Sequence, residues 1–81
     1  MFELLKSNNK TVGLKQSVKA VQDGKVKSIF IATDSDTKII NTVKELCAGS
    51  SIEINYVDSM KQLGKACGID VGASVVCLLK D

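Results

Sequence analysis

Ser28-Ile29-Phe30-Ile31-Ala32, followed by Asp34-Ser35-Asp36, decides the architecture. The first stretch is short, β-branched and apolar after its first residue. Such a run reads as a strand buried on both faces. The Asp/Ser cluster after it is rich in N-cap residues. Ile39, Ile40, Val43, Leu46 and Cys47 then form a helical stripe, closed by Ala48-Gly49. Asp34 and Asp36 also resemble paired metal carboxylates. With no third ligand beside them, a turn and an N-cap are the better reading.

Working outward towards the C-terminus, Ile52-Glu53-Ile54-Asn55-Tyr56 alternates apolar with polar, the mark of a strand with one side less buried. Ser59 and Gln62 fit an S-x-x-Q capping box. The helix they open turns Met60, Leu63 and Ala66 inward and stops at Gly68. The loop Ile69-Asp70-Val71-Gly72 leads into Ala73-Ser74-Val75-Val76-Cys77-Leu78-Leu79. This last strand is apolar nearly throughout, so a central place in the sheet is expected. Towards the N-terminus, Thr11-Val12-Gly13 is a short strand. Leu14 to Asp23 is a helix with Leu14, Val18 and Val21 recurring at i, i+4 and i+7, ended by Asp23-Gly24. A further short helix is expected at residues 1–6. Proline is absent, and neither a low-complexity stretch nor an internal repeat is evident.

Alternating strands and helices predict a mostly parallel sheet with helices on both faces. The fold class is thus α/β, a three-layer α/β/α sandwich. The chain's 81 residues make one domain, residues 1–81, near the lower size limit for independent folding. The apolar share is 44% and the charged share 25%, the balance of a soluble globular protein. No apolar run approaches the ~20 residues that span a bilayer, and Met1 to Lys6 has no signal-peptide core. A cytoplasmic protein without a membrane partner is expected.

The chemistry of catalysis is poorly represented. With no histidine, neither a Ser-His nor a Cys-His pair can be built. Cys47, Cys67 and Cys77 are odd in number and widely spaced, which argues against zinc and against a disulfide framework. Each lies among apolar residues and reads as a buried thiol. Gly64-Lys65 looks like part of a phosphate loop, but Ser59 and Ala66 break that pattern. No catalytic residue, metal or cofactor is expected. The alternative class is a small α/β phosphoryl carrier or anion-binding regulator, which would need an exposed cysteine of low pKa.

Charge supplies the other signal. All eleven basic residues are lysine and the net charge is +2. Residues 1–27 carry six lysines against Glu3 and Asp23, a net +4, and the remainder carries five lysines against seven acids, a net −2. Gly13-Leu14-Lys15-Gln16-Ser17-Val18-Lys19 opens a helix in this basic segment. Lys15, Gln16 and Lys19 fall on its outer side. A helix start offers unpaired N–H groups and partial positive charge, which suit phosphate. Gln16 can read a base edge with one donor and one acceptor, and Lys15 can donate to guanine. The plainer reading is an amphipathic helix with a wet outer face. Phe2, Phe30 and Tyr56 are the only aromatic residues, too few for the stacking platforms of single-strand binders. Any RNA would therefore be recognised by its folded shape.

Two segments together resemble the L7Ae/L30e ribosomal protein family, in particular its small bacterial L7Ae-like members. They are Val12-Gly13-Leu14-Lys15-Gln16-Ser17-Val18-Lys19-Ala20 and Leu63-Gly64-Lys65-Ala66-Cys67-Gly68-Ile69-Asp70-Val71-Gly72-Ala73. The second follows the family pattern L-G-[KR]-A-C-G and its apolar loop, and the element order agrees along essentially the whole chain. The resemblance implies an L30e-like sandwich around a four-stranded mixed sheet. It also implies binding to kink-turn RNA, a duplex bent at a short bulge beside tandem sheared G·A pairs.

On that resemblance, Gly13 takes the place of the family glycine, and Leu14 follows it. Lys15 stands at the family's Asn position and Gln16 at its Glu position, with Lys19 matching a lysine that serves the RNA. Ile69, Asp70 and Val71 match the loop that packs on an extruded nucleotide. Asp34 falls in a neighbouring segment that is also acidic in the family. Lys15-Gln16 is similar to the bacterial branch. Gln16 lacks the glutamate charge, and charge-assisted contacts are roughly twice as strong as neutral ones. Affinity is therefore expected to rest more on electrostatics. The implied partner is structured RNA, ribosomal or other, rather than DNA, and the implied state is a monomer without enzymatic activity.

Overall fold

A computed structural model describes residues 9–80. The chain runs β1 (Lys10–Val12), α1 (Leu14–Gln22), β2 (Val26–Ala32), α2 (Thr37–Cys47), β3 (Glu53–Val57), α3 (Met60–Ala66) and β4 (Val75–Leu79). The short helix expected at residues 1–6 lies outside the described residues. Every other expected element is present.

The four strands form one sheet in the order β1-β4-β2-β3. β2 pairs parallel with β3, while β4 pairs antiparallel with both β1 and β2. The sheet is thus mixed, as the resemblance implied, and the mostly parallel sheet drawn from simple alternation is corrected. The reason lies between α3 and β4. The Ala73 amide donates to the Met60 carbonyl at 3.0 Å, so the chain after α3 doubles back along the whole helix before β4 begins. It re-enters the sheet at the end where α3 started, and β4 must run the other way.

Alternation along the two central strands builds two cores. Ile29 and Ile31 of β2, with Val75 and Cys77 of β4, pack against Ala20 of α1 and Val43 and Cys47 of α2. Phe30 and Ala32, with Val76 and Leu78, pack against Leu63 and Cys67 at α3. Helices α1 and α2 therefore cover one face and α3 the other, which is the expected three-layer sandwich. β4 is central, as expected.

Two helices start on side-chain caps. Asp36 accepts from the Lys38 amide at 2.8 Å and Ser59 from the Gln62 amide at 3.1 Å. These are the roles the sequence assigned to them. In α1 the expected stripe is displaced. Ser17 and Ala20 are the buried residues, while Leu14, Val18 and Val21 are only half-buried. The Ser17 hydroxyl lies 3.3 Å from that of Thr11, and the Cys77 thiol points at the Ser17 carbonyl. Small side chains let α1 approach the sheet closely, and a serine gives no hydrophobic signal in the sequence.

Candidate nucleic-acid interface

The strand registers gather distant segments at one end of the sheet. Val12 pairs with Val76, Ile31 with Val75 and Ala32 with Val57. Beyond these pairs the Gly13 amide donates to the Val75 carbonyl at 2.8 Å, and the Ala32 amide to Ser74 at 2.9 Å. The Met60 amide donates to the Asp34 carboxylate at 2.8 Å. The start of α1, the turn at residues 33–36, the start of α3 and residues 72–74 therefore share one end, and the loop at residues 69–71 climbs along α3 towards it. Gly13, Leu14, Lys15, Gln16 and Asp34 are separated in sequence, and the fold brings them together here, with Val71 next to the Gly72 that packs on Met60. Ile69, whose amide donates to the Gly64 carbonyl at 3.1 Å, and Asp70 lie further along α3, towards its C-terminal end. Lys19 sits one turn further down α1, about 6 Å along its axis.

Helix α1 differs from the other two in how it begins. Its N-cap is Gly13, at φ 98° and ψ 158°, with no side-chain cap and no acid in the first turn. That φ is strained for any residue with a Cβ, so glycine is required at this entry. The first-turn N–H groups are left for an external acceptor, and the helix dipole favours an anion there. Lys15, Gln16 and Lys19 are all exposed. None of their side chains has a hydrogen-bond or ion-pair partner among the described residues. A shallow cleft of about 220 Å³ runs past Gln16 and Lys19, between Thr11 of β1 and Lys25. The half-buried Leu14 anchors the helix start on the core below.

The loop at residues 69–72 is held by close packing rather than by side-chain bonds. A methyl group at Gly64 would collide with the Val71 carbonyl oxygen, and one at Gly72 would lie 3.1 Å from the Met60 Cβ. The two glycines let the loop backbone lie directly on α3. Ile69 turns inward against the α3-side core, Asp70 is exposed, and Val71 is 70% exposed. Of the two apolar loop residues, only Val71 points out to solvent. Met60, expected to face inward, is instead 37% exposed. It stands at the first helical position, beside Gly72, and adds to the apolar spot. Its place at the very start of the helix is the sequence signal that could have found it.

Asp34 belongs to the same end, but its carboxylate is engaged with the Met60 amide. It fixes the start of α3 relative to the β2–α2 turn. No group of three or more potential metal ligands occurs among the described residues.

The thiols are unsuited to nucleophilic chemistry. Cys47, Cys67 and Cys77 are all buried. Burial pushes each thiol's pKa up, and the proximity of Cys77 adds to the rise at Cys47. Lys10 partly offsets it at Cys67, and hydrogen bonds with Ser17 and Thr11 do so at Cys77. The exposed, acidic thiol that a cysteine-based carrier needs is not among them, which overturns that alternative.

Residues 3–81 match the ribosomal protein L7Ae/L30e/S12e/Gadd45 family. An RNA-binding protein of Halalkalibacterium halodurans is 48% identical over 69 residues, 85% of this chain and 84% of that one. An RNA-binding protein of a Geobacillus species is 40% identical over 78 residues, 96% of this chain and 95% of its own. Among solved structures, the Giardia lamblia 15.5kD RNA binding protein superposes with a TM-score of 0.90 at 25% identity, over 99% of this chain and 71% of that one.

Proposed function

The chain belongs to the ribosomal protein L7Ae/L30e/S12e/Gadd45 family, and we propose from that premise that it binds structured RNA and stabilises a kink-turn without catalysing a reaction. The observation that carries this reading is the convergence at one end of the sheet. An uncapped helix start bearing Lys15, Gln16 and Lys19 shares that end with the outward-facing Val71. The relatives described as RNA-binding proteins support it.

The binding physics follows from the residues. A kinked RNA brings phosphates close together and is costly to hold. A protein that binds the kinked form alone shifts the equilibrium by its differential affinity. Lys15, Lys19 and the α1 amides offset the phosphate repulsion. Gln16 faces base edges with a donor and an acceptor. Val71 offers an apolar surface to an unstacked base. The proposed setting is ribosomal or other structured RNA in the cytoplasm, bound by a monomer.

The test is the double variant Lys15→Ala, Gln16→Ala. Both side chains are exposed, so circular dichroism should be unchanged while RNA affinity falls by roughly 1–3 kcal/mol for each of the two truncations. Near-native affinity with an unchanged spectrum would refute the proposal.

A further inference from the structure

The chain does carry a short internal repeat. Lys15-Gln16-Ser17-Val18-Lys19-Ala20 in α1 is echoed by Lys61-Gln62-Leu63-Gly64-Lys65-Ala66 in α3, a shared K-Q-x-x-K-A. The fold displays the two copies alike. In each the first, second and fifth residues are exposed and the third is buried. In each the two lysines are one helical turn apart on the same side. Neither helix contains an acidic residue. The side chains of Lys61, Gln62 and Lys65 have no hydrogen-bond or ion-pair partner among the described residues.

The two helices lie on opposite faces of the sheet and start at the same end of it. Between their starts stand the turn at residues 33–36 and the loop carrying Val71. The α3 N-terminus is closed by Ser59 and Asp34, so only the side chains of its outer face are available. Their chemistry is that of a phosphate-contacting face, two cations around one amide.

We propose that Lys61 and Lys65, with Gln62, contact the backbone phosphates of a second arm of the same RNA, so that the two arms meeting at the bound end are gripped from both sides of the sheet. This inference rests on the RNA-binding reading of α1. The occupant is chosen by charge complementarity and by position. The helix itself carries lysines and no acid, its flanking acids Asp58 and Asp70 lying outside the helix, and it adjoins the end where the α1 reading places the RNA.

The test uses three RNAs sharing one kink-turn: one with both arms short, and two in which either arm is extended by a helical turn. The Lys61→Gln, Lys65→Gln variant keeps good helix formers at exposed positions and is compared with the unaltered protein across salt concentrations. One extension should tighten binding and steepen the salt dependence by about 0.9 per phosphate contacted, about 1.8 for two. The variant should bind the short RNA normally and lose that gain. If neither extension tightens binding, or if the variant keeps the full gain, the proposal is overturned. Equal weakening on all three RNAs would overturn it too, since α3 would then belong to the primary contact. The Lys15→Ala, Gln16→Ala variant separates the two claims. If it binds every RNA normally, the α1 reading fails, whatever α3 does.

Discussion

The Asp34 carboxylate accepts the Met60 amide at 2.8 Å, across a gap of 26 residues in sequence. That bond joins the β2–α2 turn to the start of α3. Its removal leaves a first-turn N–H without its acceptor, at a cost of about 1 kcal/mol, the scale of a missing helix cap. Asp34→Ala should lower the urea midpoint accordingly, whereas Asp34→Asn keeps an acceptor and should lose much less. The comparison of urea midpoints checks the role directly. The same residue shows what single positions reveal in a sequence. Lys15, Gln16 and Lys19 were legible because exposure on a helix follows from spacing. The partner of Asp34 was not, since no local pattern links a turn to an amide so far along the chain.

Among the elements, the α3–loop–β4 passage shaped the molecule most and was the hardest to read. Its helix, cap and final strand were all visible in the sequence, but the return of the loop along the helix was not. Gly64 is the residue that permits it, by letting the loop backbone lie on α3 at the Val71 carbonyl. Gly64→Ala puts a methyl group into that backbone approach, and overpacking of this kind costs about 1–3 kcal/mol. The variant should melt at a lower temperature. RNA affinity should fall with it, because Val71 is carried on the displaced loop. A Gly64→Ala protein as stable as its parent would mean that the loop is not clamped there. Helix α1 teaches the complementary lesson. Apolar periodicity pointed at Val18, while close approach to the sheet selected Ser17 and Ala20.

For the molecule as a whole, three buried thiols set one limit on stability. Each has a pKa raised above the ordinary value of 9.0 by burial. The unfolded chain therefore releases these protons at lower pH than the folded one. The thiols' contribution is fully present below pH 9.0 and is lost as pH rises through that value towards the raised ones. Urea midpoints should fall between pH 8 and pH 10, and Cys77→Ala should make the fall shallower. At the same scale, the net charge of +2 is too small to attract RNA by itself. On the proposed reading, recognition comes from where the charge is placed, on α1 at the end shared with Val71.

The most direct test of that recognition is a titration of two RNA hairpins at fixed salt and magnesium. One carries a kink-turn with tandem G·A pairs, and in the other those pairs are replaced by Watson–Crick pairs. Tight binding to the first and only weak binding to the second is the expected result. Equal weak binding to both would reduce the interaction to lysine electrostatics and contradict kink-turn recognition.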